Sequence, residues 1–500
     1  MTVFDLYKPL RNKIRTCSLM PSLGVIWAWM QRLQFNIAFP PDIQIPVEIL
    51  WKLDGPNRGI YEWELAQLAK ELIINAPVIG STDFRTWSTF SDAVNRFKRL
   101  DNDISGHYEE LFRRNILVEM YRHAHHQFGW QDTSIIRSVS RYLKILSHPD
   151  LDAIVRAEMG FDARVLYTIG LSVAGHFLSS PELDVPITLS LRSVTPEQVT
   201  SFFGRFSVDI SRMRELCIES QSYDQDFIYA FNPLRRYPLL RYLRSNALKI
   251  CCPVPTYLIH RFTEGVYYEI INQPDFNNAF GAAFQAYVGE VLTAVNTGGA
   301  LTVLPESEYH VGRDRKDTVD WIVGDDTGEL FVECKTKRIQ LAAKVALLDL
   351  SALESEVDKL AKFVVQIYKT LHDAISGHYT TWTRSDRPIF PVIVTLEEWY
   401  VFGPKILEMV EARIGEKFND NGLDSGLLGE FPYVIGSVGD FERLMSIVAS
   451  RGIAPVIQAL QSPSRRGWLM HGALRNAFPE EFRLSSRNLF PETLQQITGE

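Results

Sequence analysis

The chain is poor in cysteine and has neither a long uninterrupted apolar run nor a strong charge excess of one sign. Each lack narrows its class. Five cysteines occur in 500 residues, Cys17, Cys217, Cys251, Cys252 and Cys334, and none forms a C-x-x-C pair. An odd number so spaced does not describe the disulfide framework of a secreted protein. Adjacent Cys251 and Cys252 admit two readings, a redox pair or small buried apolar residues beside a strand. The apolar stretch 19–30 is interrupted by Pro21 and is shorter than the roughly 20 residues that span a bilayer. No cleavage-site pattern follows a charged leader, so the expectation is a cytoplasmic protein with no membrane partner. A net charge of −8 supplies no global field for nucleic acid, and such a partner would need a local basic surface. The chain has no P-loop, no G-x-S-x-G elbow, no zinc-ligand spacing, no repeat period and no low-complexity stretch. Without a P-loop, any ATP-driven step would need a partner.

What is present describes a soluble globular protein. Apolar residues make up 46%, charged residues 22% and aromatic residues 12%. A chain of this length buries several cores without a disulfide or metal, and roughly two to four domains are expected. Residues 1–230 read mainly as helices, a region suited to recognition or to a protein partner. One amphipathic pattern runs through Tyr61, Leu65, Leu68, Leu72 and Ile73. Another spans 108–128, with Leu111, Ile116, Leu117 and Met120 spaced for one face. Breaks are expected at 39–41, 54–56 and 180–181. Thr195, Pro196 and Gln198 have the cap, first-position and third-position chemistry of a helix start. His123 and His126 share a helical spacing, but no third ligand stands nearby, so a packed or solvated cluster is expected in place of a metal site.

Residues 231–274 read as a connecting segment. It opens with proline-punctuated extended chain, then a short strand over 247–252 and a helix over 256–271. Residues 275–500 are expected to form an α/β domain, a mixed sheet flanked by helices. Its expected helices are 280–295, 351–375, 403–414 and 441–451. Its expected strands are 301–304, 318–323, 330–335, 389–395 and 433–436.

The informative segment is 317–338, DTVDWIVGDDTGELFVECKTKR. It reads as two strands joined by a Gly- and Asp-rich turn. Side chains alternate along a strand, so Glu333 and Lys335 share a face and Cys334 takes the other. Closing the hairpin brings Asp320 beside Glu333. Two carboxylates and a lysine in a strand interior are costly to bury unpaired. The carboxylates also repel, which raises a pKa unless a cation intervenes. A hard divalent cation resolves the conflict, and Mg²⁺ takes such oxygen ligands while keeping several waters. A bound ion of this kind polarises a phosphoryl oxygen and lowers the pKa of water. Lys335 is then placed to position water or to stabilise charge on the phosphate.

An Asp at the head of an apolar strand, a short loop and an E-x-K strand together resemble the PD-(D/E)XK superfamily of restriction-endonuclease-like nucleases. Twelve residues separate Asp320 from Glu333, and Val319 stands where the family name has proline. The resemblance implies a restriction-endonuclease-like mixed sheet. It implies Asp320 and Glu333 as metal-binding carboxylates, Lys335 as the catalytic lysine and the Cys334 carbonyl as a further ligand. Mg²⁺ is the implied ion, with Mn²⁺ a substitute. Phosphodiester hydrolysis is implied, with DNA the first expected substrate, cutting by a homodimer common, and bacterial or antiviral defence a setting by analogy. Many members carry an acid on the preceding helix. Here G-x-x-F is followed by Gln285, with Glu290 one and a half turns later. This departure favours a second expectation, a weakly active or inactive module that binds nucleic acid or scaffolds a partner. Some members also place a polar residue on the helix after the E-x-K strand, for which Gln366 and Lys369 are the candidates. Arg313, Arg315, Lys316, Lys337, Arg338 and Lys344 are candidate phosphate contacts or ordinary surface pairs.

Overall fold

A computed structural model describes residues 2–53, 55, 58–114, 116–130, 135–185, 194–339, 350–401 and 403–498. The expected break at 54–56 and Lys344 lie wholly or partly outside them. The N-terminal region is mainly helical. The apolar stretch at 19–30 lies in the helix Leu19–Phe35, whose residues Val25 to Gln31 are all buried. Trp27 and Gln31 both donate to the Phe177 carbonyl, at 2.7 and 2.5 Å. An all-round apolar helix is thus satisfied as the centre of a core. The helix Glu62–Asn75 packs beside it and buries Leu65, Leu68, Leu72 and Ile73. Thr195 caps Pro196–Phe206, its hydroxyl accepting from Gln198 N–H while Gln198 accepts from Thr195 N–H. Among the described residues no helix is long and apolar enough to cross a membrane.

Two helical expectations are corrected. The 108–128 helix is described as Glu109–Arg114 and Ile116–Gln127, with residue 115 outside the described residues, and its inward face is rotated from the expected one. Ile116 and Met120 are 45% and 42% exposed, whereas Val118, Tyr121 and Arg122 are buried. The Arg122 guanidinium lies 3.8 Å from the Tyr229 ring centroid and pairs with Asp226 at 2.9 Å. That buried anchor outweighs the apolar spacing, because stranding a desolvated cation costs more than exposing two apolar side chains. The 256–271 helix ends at Phe262, and a 3₁₀ turn and the short helix Tyr267–Ile270 follow. Thr263 Oγ1 donates to the Ile259 carbonyl, the local competition by which threonine weakens helix interiors.

The strands are β1 (Glu182–Asp184), β2 (Ser207–Asp209), β3 (Leu239–Arg244), β4 (Ala247–Cys251), β5 (Thr302–Pro305), β6 (Glu308–Val311), β7 (Asp314–Asp317), β8 (Trp321–Gly324), β9 (Glu329–Lys335), β10 (Ile389–Thr395) and β11 (Val434–Ser437). The first four form one sheet of order β1-β4-β3-β2. Cys251 and Cys252 are buried free thiols, each pushed above the ordinary range by burial, so neither is poised for redox chemistry.

The C-terminal half carries a five-stranded mixed sheet of order β11-β10-β9-β8-β5. β9, β10 and β11 are parallel, and β8 and β5 continue antiparallel. Alternation along the strands serves two cores. Leu330, Val332, Val392 and Val394 face the helices Phe276–Val295 and Val438–Arg451. Phe331, Ile389 and Ile393 face Leu350–Ile375 and Pro404–Asp420. The helices connecting β9 to β10 and β10 to β11 therefore lie on one face, as parallel crossovers require. The first core also takes in helices between residues 139 and 206. There Arg137 and Arg141 both bond to buried Glu442, which accepts from Tyr287 as well.

Candidate active site

Helix Phe276–Val295 sets the edge of the site. A Cβ on Gly289 would lie 2.3 Å from the Trp321 indole, so only glycine permits this approach of helix to β8. Trp321 Nε1 donates to the Gln285 carbonyl at 3.1 Å, which places Gln285 at the head of β8. At the other end of the hairpin, Asp325 Oδ1 accepts from the N–H groups of Thr327 and Gly328. Its Oδ2 accepts from Ile453 N–H. These bonds fix the turn, and the turn fixes the register Trp321↔Val332.

One step beyond that register pair, Asp320 faces Glu333. Asp320 Oδ2 accepts the Cys334 N–H at 2.5 Å, and the Asp320 carbonyl accepts the Glu306 N–H at 2.9 Å. Glu333 is 6% exposed, and its Oε1 receives Lys335 Nζ at 2.7 Å and Gln366 Nε2 at 2.9 Å. Lys335 Nζ also donates to Gln366 Oε1 at 2.9 Å. Gln366 thus closes a three-membered ring that orients the lysine and one carboxylate oxygen. Cys334 packs on the opposite face, and burial holds its thiol well above the ordinary range.

Burial, and then the charge of Glu333, raise the Asp320 carboxyl from about 3.8 to about 7. Glu333 is also raised, first by burial, with Lys335 opposing. Two neighbouring acids with raised proton affinity are a hard-donor set. Their chemistry fits Mg²⁺ or Mn²⁺ better than a soft metal. No group of three or more His, Cys, Asp or Glu side chains among the described residues is placed to hold an ion.

The structure brings Asp320, Glu333, Lys335 and Gln366 together. Gln285 stands at the margin, its Nε2 donating to Glu306 Oε2 at 3.0 Å. Glu290 pairs with Lys144 at 2.7 Å, and Lys369 is exposed. Arg315 and Lys316 lie on the β6–β7 hairpin, paired with Glu308 and Asp373. Arg338 is buried against the Tyr267 and Tyr268 rings and donates to Tyr142, a packing role that removes it from the phosphate candidates. Lys337 and Arg313 are exposed. His123 bonds to Tyr229, and burial lowers His126 to about 3, so it is neutral. Glu306 is not visible as a site residue in the sequence, because thirteen residues and a hairpin separate it from Asp320. Comparison with protein-family models, curated proteins and solved structures finds no match.

Proposed function

We propose that this chain is a metal-dependent nuclease with a restriction-endonuclease-like core, acting on DNA. The observation that carries the proposal is the Lys335–Glu333–Gln366 ring beside Asp320 at the sheet end. Asp320 and Glu333 would hold Mg²⁺ or Mn²⁺, with the Cys334 carbonyl as a further ligand by family likeness. The ion, when bound, supplies charge that polarises a phosphoryl oxygen and acidifies water. Lys335 has three donors, two of them engaged by Glu333 and Gln366. The third is available to a phosphate oxygen or to the attacking water. Gln366 holds the ammonium in one rotamer, so little ordering remains when charge builds on the phosphate. Attack by water oxygen forms one P–O bond and breaks the ester P–O bond; the attacking water releases one proton to solvent and the leaving oxygen takes one up from solvent. In this scheme the helical N-terminal region binds substrate or a protein partner, and duplex cutting uses a homodimer.

The test is cleavage of plasmid, linear duplex, single-stranded DNA and RNA by wild type and Lys335→Ala, with Mg²⁺, Mn²⁺ or EDTA. We expect DNA cutting that EDTA abolishes and that Lys335→Ala reduces roughly 10²–10³-fold, the scale of losing one preorganised charge-stabilising donor. Cutting that persists in EDTA, or unchanged in the variant, overturns the proposal.

A further inference from the structure

We propose that Glu306 is a third acidic ligand of this metal site, supplying from the β5–β6 loop the carboxylate that helix Phe276–Val295 lacks at Gln285. This rests on the metal-site reading above.

The register β5–β8 pairs Pro305 with Trp321, and the register β8–β9 pairs Trp321 with Val332. One residue further on, Glu306, Asp320 and Glu333 stand in a row across three adjacent strands. The Glu306 backbone is fixed there by its 2.9 Å bond to the Asp320 carbonyl. Directly opposed residues in antiparallel strands lie within reach of a common ligand. The side chain is exposed and free to turn, since only Oε2 is engaged, by Gln285. The bonds made by Glu306 and Glu333 among the described residues engage Glu306 Oε2 and Glu333 Oε1, leaving the second oxygen of each carboxylate to a ligand. With all three ionised against Lys335, the row carries three negative charges and one positive, a deficit of two that one divalent cation neutralises. As it stands Glu306 is turned to Gln285 and is not grouped with Asp320 and Glu333, so binding the cation requires its side chain to leave that bond. On this account Gln285 is a positioning residue and not a failed ligand. The helix acid and the loop acid are alternative sources of one carboxylate at one place.

The experiment measures Mn²⁺ binding to the full chain by electron paramagnetic resonance, alongside thermal melts in EDTA that verify folding. Four proteins are compared: wild type, Glu306→Gln, the exchange variant Gln285→Glu/Glu306→Gln, and Glu308→Gln as a neighbouring exposed acid. We expect Glu306→Gln to weaken Mn²⁺ binding on the order of 10–100-fold, the exchange variant to recover most of the loss, and Glu308→Gln to match wild type. Wild-type binding by Glu306→Gln overturns the inference and leaves the nuclease proposal standing. Failure of the wild-type chain to bind Mn²⁺ overturns both.

Discussion

Burial dominates the Asp320 carboxyl, and Glu333 adds repulsion, so its proton affinity rises from about 3.8 to about 7. The native chain therefore binds more protons than the unfolded chain between those values. Stability falls as pH rises through that window, and the penalty is absent below about 3.8. Asp320→Asn removes the titration. In EDTA the wild type should lose melting temperature between pH 5 and pH 8 relative to Asp320→Asn. At pH 8, Mg²⁺ should stabilise wild type by about 2.7 kcal/mol at a hundredfold excess over Kd and leave Asp320→Asn unmoved. Parallel melting curves for the two proteins in EDTA would show that Asp320 is ordinarily solvated. At this scale the sequence was readable where strand period alone decides. Glu333, Lys335 and Asp320 follow from alternation and a closing turn. Glu306 does not, because the Pro305↔Trp321 register depends on a hairpin inserted between the two residues.

Helix Phe276–Val295 must approach β8 closely for Gln285 to reach Glu306, and Gly289 permits it. Helix propensity favours Gly→Ala by about 1 kcal/mol, but a methyl 2.3 Å from an indole forces backbone or ring to move. The overpacking cost of about 1–3 kcal/mol should prevail. Gly289→Ala is expected to lower the urea midpoint, whereas Gly281→Ala, with nothing within 4 Å of its Cβ, should hold or raise it. Equal midpoints for the two variants would refute the close-approach account. Elements were legible where apolar pattern and length agree. Strand Ile389–Thr395 is an unbroken buried run bounded by polar chain, and its limits match the sequence expectation. The β6–β7 hairpin was not legible, since β7 is exposed throughout and its residues carry charge at every position. The helices between Ile453 and Thr498 were also missed, and the rotated face of Ile116–Gln127 shows a polar anchor overriding apolar spacing.

A buried charge cluster ties the helix Ile135–Leu146 to two helices of the C-terminal half. Glu442 lies on a helix covering the C-terminal sheet, Arg137 and Arg141 lie on the helix Ile135–Leu146, and Tyr287 comes from the Gln285 helix. Burial opposes the Glu442 charge, but Arg141 and Arg137 hold the carboxyl below its usual range. Its two oxygens accept from Arg141 at 2.6 Å, Arg137 at 3.0 Å and Tyr287 at 2.9 Å. Removing the acid strands two buried guanidinium groups, a cost of about 3–5 kcal/mol, whereas replacing the whole group with apolar side chains is often neutral. Glu442→Leu should therefore lower the urea midpoint sharply. Arg137→Met/Arg141→Leu/Glu442→Leu should recover most of that loss. The recovery matters more than the loss, because any core substitution can destabilise while only an uncompensated charge is relieved by removing its partners. If the triple variant is less stable than Glu442→Leu alone, the arginines stabilise through packing of their stems. In that case the cluster joins the N-terminal helices to the sheet by shape and not by charge.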